Sequence, residues 1–437
     1  MQTHDEAGQF VTADVAEPMQ RSRWPTRWMA ALLATLALLG VWLLARNHPY
    51  VDTDAMYYRA MANGETVMKP FAFRVLDPAA VHMFARATGR STVEGFLVVG
   101  LLSEWVLLYG VLCPVLERRQ DTWLVVVLLL LPFWLRNFTN YFLPDLLHAA
   151  LCIVYLSLLR RQWWVWAAAI MPLMFLTRES TVLLAVIAVP VLWRLAGKRP
   201  ALWQLAGAVV GMAVSKFAAR HALGNQHNIN DTLYLIGKIP WNLSRNVFGI
   251  TLWTNTLHPV APIRIWDVPH WMPMGAIHQI GYCSFDWTYQ LSTLAQLLTS
   301  FGLGSCVAAC LIWRTSLRKL LPREEAYLCI AAIYGAATFL MAPVLGAAQT
   351  RLFDYGWPLF LVYLPAMIPR IWRSWPIWTI LALVGLHLIV AWLDLIGGAL
   401  FHLDLVRESA VLAGCNLVAA WLLFNTAPGT QRLPSLK

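Results

Sequence analysis

Charge is scarce in this sequence: Asp, Glu, Lys and Arg together make up 13% of its 437 residues. A soluble globular chain carries about a quarter. That shortage excludes a soluble enzyme, a disordered chain and a nucleic-acid module. Cysteine is also sparse, at seven residues. No Cys-x-x-Cys or Cys/His pair with zinc spacing appears, so neither a disulfide framework nor a structural metal is expected. Glycine-rich phosphate loops of the Walker or Rossmann type are missing. That absence argues against a cytosolic nucleotide-sugar site and against an ATP-driven pump. The first 27 residues contain Asp5, Glu6, Asp14 and Glu17. They are too acidic for a secretory signal and read as a cytoplasmic tail.

What the sequence has instead is apolar surface, at 59% of residues. Twelve apolar runs are long enough to consider as spans: 28–45, 93–116, 122–135, 144–159, 163–176, 180–195, 201–216, 291–313, 326–346, 356–369, 376–393 and 408–424. The expectation is an all-α integral membrane protein with a bundle of about twelve transmembrane helices. Several runs fall below the usual ~20 residues, so those within 122–159 and 163–195 could be re-entrant or distorted. The chain divides into a tail (1–27), a polytopic membrane domain (28–424) and a C-terminal tail (425–437).

Basic residues outnumber acids 33 to 23, a formal net charge of +10. They do not cluster as a nucleic-acid face would require. Alternate connections differ instead. One set holds Arg118 and Arg119; Arg160 and Arg161; Arg194, Lys198 and Arg199; Arg314, Arg318, Lys319 and Arg323; Arg370 and Arg373. The other set holds Arg136, Arg178, Arg351 and Arg407, one each. The positive-inside rule makes the first set cytoplasmic. The long loops 46–92 and 217–290 then face outward, and a bacterial inner membrane with a periplasmic site fits.

Topology does not explain the outer arginines; the charge rule would rather exclude them. Each of three stands near an acid in sequence: Arg136 before Asp145, Arg178 before Glu179, and Arg351 before Asp354. Ionisable groups at span ends are costly to dehydrate and either pair or line a wet cavity. Local ion pairs with snorkelling are one reading. A shared polar cavity that binds an anion is the other, favoured because the pattern recurs on one side.

The first outer loop is the densest. Asp52 and Asp54 stand two apart ahead of Tyr57, Tyr58 and Arg59, and only one of them is needed to cap a short helix. Arg74 and Asp77 open a second helical pattern. There Val75, Leu76, Ala79, Ala80, Met83, Phe84 and Ala87 form an apolar stripe, as in a helix lying in the membrane interface. Asp-x-Asp spacing is compatible with a divalent cation but is a weak motif; no metal or cofactor is assigned.

These features resemble the polytopic glycosyltransferases of the GT-C class. The resemblance rests on the acidic first external loop and on the string Pro70, Phe71, Arg74, Leu76, Pro78. It rests also on the outer Pro144-Asp145, the Arg178-Glu179-Ser180 triplet and Arg351 at a late span mouth. It covers roughly residues 28–370 in organisation, and the chain lacks the soluble C-terminal domain of some members. The resemblance implies a sugar taken from a polyprenyl phosphate or pyrophosphate donor on the outer face. It also implies a first-loop acid as base, here Asp54 with Asp52 beside it. The chemistry fits independently: a carboxylate takes the acceptor's proton, and cations hold the departing phosphate. Arg59, Arg74, Asp77, Arg136, Asp145, Arg178, Glu179, Arg351 and Asp354 are the expected substrate-binding set. The expected partners are the lipid-linked donor, a lipid or polysaccharide acceptor, and membrane lipid. Two enzyme-free or different-chemistry readings stand beside it: a secondary transporter or flippase of lipid-linked saccharide, and a non-enzymatic assembly subunit. A polysaccharide polymerase or ligase is a third.

Two further residues lie within runs. Glu104 is expected to be protonated and hydrogen-bonded to a neighbouring helix. His387 is expected to be a satisfied core residue.

Overall fold

The computed structural model describes residues 24–45, 51, 53–67, 71–118, 123–222, 231–254, 264–267, 280–315, 320, 325–346, 349–371, 375–401 and 403–425. Asp52 and most of both tails lie outside the described residues. Helix dominates. The first half runs α1 (Trp24–Ala45), α2 (Thr53–Ala62), α3 (Leu76–Thr88), α4 (Thr92–Arg118), α5 (Trp123–Leu129), α6 (Phe133–Thr139), α7 (Asp145–Arg160), α8 (Trp164–Phe175), α9 (Thr181–Leu195) and α10 (Lys198–Ala222). The second half runs α11 (Asp231–Asn246), α12 (Thr288–Thr299), α13 (Gly304–Arg314), α14 (Ala326–Leu345), α15 (Gln349–Asp354), α16 (Leu364–Ile371), α17 (Ile377–Phe401) and α18 (Leu405–Asn425). A π-helical stretch, Pro358–Tyr363, leads into α16.

All twelve apolar runs are helical over most of their length. Five helices are long and apolar enough to cross a membrane: Pro25–Ala45, Thr92–Arg118, Lys198–Ala222, Ala326–Leu345 and Leu405–Asn425. A sixth candidate is the pair α12 and α13, bent by 81° at a short break. Helix length by itself therefore supports five or six spans rather than twelve. The break falls at Gly302, whose φ of 56° turns the chain where other residues would strain.

The fold is not purely helical. Strands β1 (Ile250–Thr254), β2 (Arg264–Asp267) and β3 (Ile280–Phe285) form an antiparallel sheet in the order β1-β3-β2. It lies within the 217–290 loop, where the sequence reading assigned no strand. Its segments are short and rich in aromatic and β-branched residues, which suit a pleated surface.

Packing among the helices relies on small residues, because lipid gives helices no hydrophobic reason to associate. α10 lies close against α8 because a Cβ at Gly207 would strike the Ala168 carbonyl. α14 meets the π-helical stretch in the same way, with Gly335 against the Leu359 backbone.

The charged connections separate to two ends. At one end Arg160 pairs with Glu117 at 2.8 Å and Arg370 with Glu325 at 2.6 Å. At the other, Arg178 and Arg351 meet Asp145. α7 runs between them, from Asp145 to Arg160. α8 begins beside Arg160 and ends before Arg178, so it too connects the two ends. At about 1.5 Å per residue, the 16 residues of α7 cover roughly 24 Å. The 27 residues of α4 cover roughly 40 Å. The second ionic end is therefore recessed below the tips of the longer helices.

Candidate functional site: a recessed ionic cluster

Local structure delivers each charged side chain to this recess. α2 starts at Thr53, which puts Asp54 in its first turn. Its buried face of Ala55, Tyr58 and Ala62 packs with Phe71, Phe96 and Phe142, and Tyr57 stacks on Phe71 at 4.3 Å between ring centroids. The start of α3 is tied to the α8–α9 turn by a bond from the Leu76 amide to the Leu176 carbonyl, 3.0 Å. The segment leading out of α2 is tied to the end of α10 by the Val67 amide and the Ala222 carbonyl, 2.9 Å. Asp145 opens α7 directly after Pro144, at the helix end that favours a negative charge. The α8–α9 turn, held by Thr181 Oγ1 on the Arg178 carbonyl at 2.8 Å, aims Arg178 inward.

Asp145 is the hub. It is buried and bridges two guanidinium groups: Arg178 on one oxygen, and Arg351 Nε on the other at 2.8 Å. Arg351 Nη1 also donates to Asp54 Oδ2 at 3.0 Å, and its Nε lies 3.2 Å from the Tyr355 hydroxyl. The Arg178 guanidinium covers the Tyr355 ring at 4.0 Å. Burial opposes the charge on Arg351. Asp145, Tyr355 and Asp54 outweigh it and hold that guanidinium above its ordinary pKa. Asp54 is the open member: its side chain is 36% exposed against 7% for Asp145.

A second group flanks the hub. Arg74 Nε contacts both carboxylate oxygens of Glu179, at 2.9 and 3.2 Å, and its Nη1 donates to the Tyr58 hydroxyl at 2.8 Å. Asp77 lies one turn on, at 2% exposure, with its Oδ2 unpartnered among the described residues. Burial, reinforced by the charge of Asp145, pushes the Asp77 carboxyl well above the ordinary range. Burial thus favours the neutral form of Asp77. A third group hangs on the far side of α15. There Arg136 Nη2 donates to Asp354 at 2.8 Å and to the Ser300 carbonyl at 2.8 Å. Asn137 Nδ2 joins Asp354 at 3.4 Å.

The structure brings together Asp54, Arg74, Asp145, Arg178, Glu179 and Arg351, and attaches Arg136 and Asp354 through α15. It rearranges their partners. One reading of the sequence paired each outer arginine with its sequence neighbour. Instead Arg351 takes Asp54, 297 residues away, Arg178 takes Asp145, and Glu179 takes Arg74, 105 residues away. Asp354 takes Arg136, 218 residues away. The local-pair reading gives way to long-range partners for Arg136, Arg178 and Arg351, whereas Arg407 keeps a local partner in Asp404 at 3.6 Å. Arg59 stands apart, with its guanidinium over the Phe142 ring at 5.3 Å. On α3, Asp77, Pro78 and Val81 face the protein, while Met83 of the apolar stripe is exposed.

Sequence reasoning missed Tyr58, Tyr355 and His148. His148 Nδ1 lies 3.0 Å from Thr177 Oγ1, whose own hydroxyl donates to the Met174 carbonyl at 2.6 Å. His148 is therefore the donor to Thr177, which leaves Nε2 as a buried acceptor one turn from Asp145. The spacing Asp145-x-x-His148 on one helix face was the available signal. Glu104 is fully buried and neither carboxyl oxygen has a partner among the described residues, so the expected interhelical hydrogen bond is absent there. His387 is half satisfied: Nδ1 accepts from the Leu303 amide at 3.2 Å and Nε2 has no partner among the described residues.

Among the described residues no three His, Cys, Asp or Glu side chains gather as metal ligands do. Comparison of the chain with family models, with curated proteins and with solved structures finds no match.

Proposed function

We propose that the chain is a membrane glycosyltransferase that moves a sugar from a polyprenyl-phosphate donor to an acceptor hydroxyl. The recess faces the non-cytoplasmic side, in a bundle of about twelve helices of which the shorter ones cross a thinned layer. A bacterial inner membrane suits this orientation. The observation that carries the reading is Arg351 shared between Asp145 and Asp54. Asp145 fixes and charges the guanidinium from behind; Asp54 occupies its open side.

In the resting site Arg351 and Asp54 neutralise each other. A lipid phosphate entering the recess competes with Asp54 for Arg351. The phosphate takes the guanidinium, in the geometry arginine suits best. Asp54 is then released as a carboxylate with no cation on it. It accepts the proton of the acceptor hydroxyl as that oxygen attacks the anomeric carbon. The bond between the anomeric carbon and the phosphate oxygen breaks. Its electron pair leaves with polyprenyl phosphate, and Arg351, with Arg178 behind it, stabilises the charge. Arg74 and Tyr58 present a further donor wall. The acceptor is a lipid or polysaccharide hydroxyl.

The test is consumption of polyprenyl-phosphate-linked hexoses and pentoses by purified protein in proteoliposomes. Asp54→Asn should lower turnover by about 10²–10⁴-fold, the usual worth of a general base. Near-parental turnover would remove the assignment.

A further inference from the structure

At the end opposite the ionic recess, the α7–α8 turn and the start of α10 frame a second cavity. Trp163, Trp164, Trp166, Trp203, Gln162 and Arg199 line an open space of about 420 Å³. Interfacial tryptophans are common, but this group is built. Gln162 carries the chain through a left-handed turn with φ 60°, the only non-glycine positive φ among the described residues. Gln204 is fully buried and donates to the Trp164 carbonyl at 2.9 Å, which fixes α10 on the start of α8. The close contact at Gly207 holds the same two helices one turn further along.

The surrounding charge has one sign. Arg199 lines the cavity, Arg161 covers the Trp163 ring at 5.5 Å and Lys198 lies 5.8 Å from the Trp193 ring. No Asp or Glu is among the lining residues. Glu117, at the same end, is already held by Arg160.

We propose that this cavity binds the headgroup of an anionic glycerophospholipid from the surrounding leaflet. The phosphate pairs with the Arg199 guanidinium, and the glycerol region lies against the indoles, whose N–H groups suit that half-wet depth. A zwitterionic headgroup fits less well. Its ammonium would find no carboxylate, and Arg161 already covers the Trp163 face. Basic pockets between helices on the cytoplasmic side take anionic lipid in this way. The inference rests on the membrane orientation and not on sugar transfer.

Native mass spectrometry of the full-length protein, released from micelles containing equal phosphatidylglycerol and phosphatidylethanolamine, tests it. The parent should retain phosphatidylglycerol preferentially. Arg199→Gln should reduce that retention roughly five-fold, the worth of one arginine near an anionic surface. A Trp166→Leu/Trp203→Leu variant should also lose it while keeping the site apolar. Arg90→Gln, at the other end, should retain lipid like the parent. Equal retention of the two lipids, unchanged retention in Arg199→Gln, or displacement by millimolar inorganic phosphate would each overturn the proposal.

Discussion

The two charged ends of this molecule are built differently. At the basic end the pairs are simple and half open: side-chain exposure is 33% and 16% for Arg160 and Glu117, and 40% and 29% for Arg370 and Glu325. At the recessed end Asp145 joins Arg178 and Arg351, Arg351 reaches on to Asp54, and Arg74 with Tyr58 and Glu179 stands beside them; Arg178 and Asp145 are 9% and 7% exposed, while Asp54 and Glu179 are 36% and 40%. The first end has the charge that membrane topology requires. The second has charge that topology would exclude, held in place by partners drawn from distant parts of the chain.

The largest expected difference follows from removing the hub. Asp145→Ala leaves Arg178 and Arg351 buried without their shared carboxylate. Breaking a buried pair in this way costs about 3–5 kcal/mol. Thermal unfolding in detergent should show a large loss, and a melting temperature equal to the parent's would mean that the recess is wetter and looser than its geometry implies.

Asp77 gives a smaller, pH-dependent effect. Its folded pKa lies well above the ordinary 3.8. The folded state therefore binds a proton that the unfolded state has lost, and stability falls as pH rises from near 3.8 toward the folded value. Asp77→Asn removes that dependence. The variant's melting temperature relative to the parent's should climb as pH is raised from about 4 to about 8. A constant difference across that range would contradict a neutral Asp77.

The smallest effect is expected at the basic end. Glu117→Gln removes one member of a partly exposed pair, and such a pair is worth about 0–1 kcal/mol. A loss matching that of Asp145→Ala would erase the distinction between the ends.

Much of this organisation was legible in the sequence. Composition located the twelve helical runs, because apolar side chains must face lipid or protein. Charge counts separated the connections into two ends, and six of the outer acids and arginines do meet in one recess. Their pairing was not legible. Neighbours such as Arg178 and Glu179 project in different directions from a tight turn, so the partner is set by which helices pack together. The bend between α12 and α13 was hidden because hydropathy over 291–313 is insensitive to backbone direction. The Gly302-Leu303-Gly304 sequence was its visible cue. The strands in 250–285 were hidden for a related reason: short aromatic segments in a polar loop look the same whether paired or not. Tyr58, Tyr355 and His148 were passed over because uncharged polar residues near apolar runs are ordinary.

The central claim is that Asp54 and Arg351 act as one unit although 297 residues separate them. The most direct test compares turnover of a polyprenyl-phosphate-linked sugar in Asp54→Asn, Arg351→Gln and the double variant. Residues that act as a unit are strongly non-additive. The double variant should be no slower than the worse single one. Independent, multiplying losses, or parental turnover in either single variant, would contradict the account.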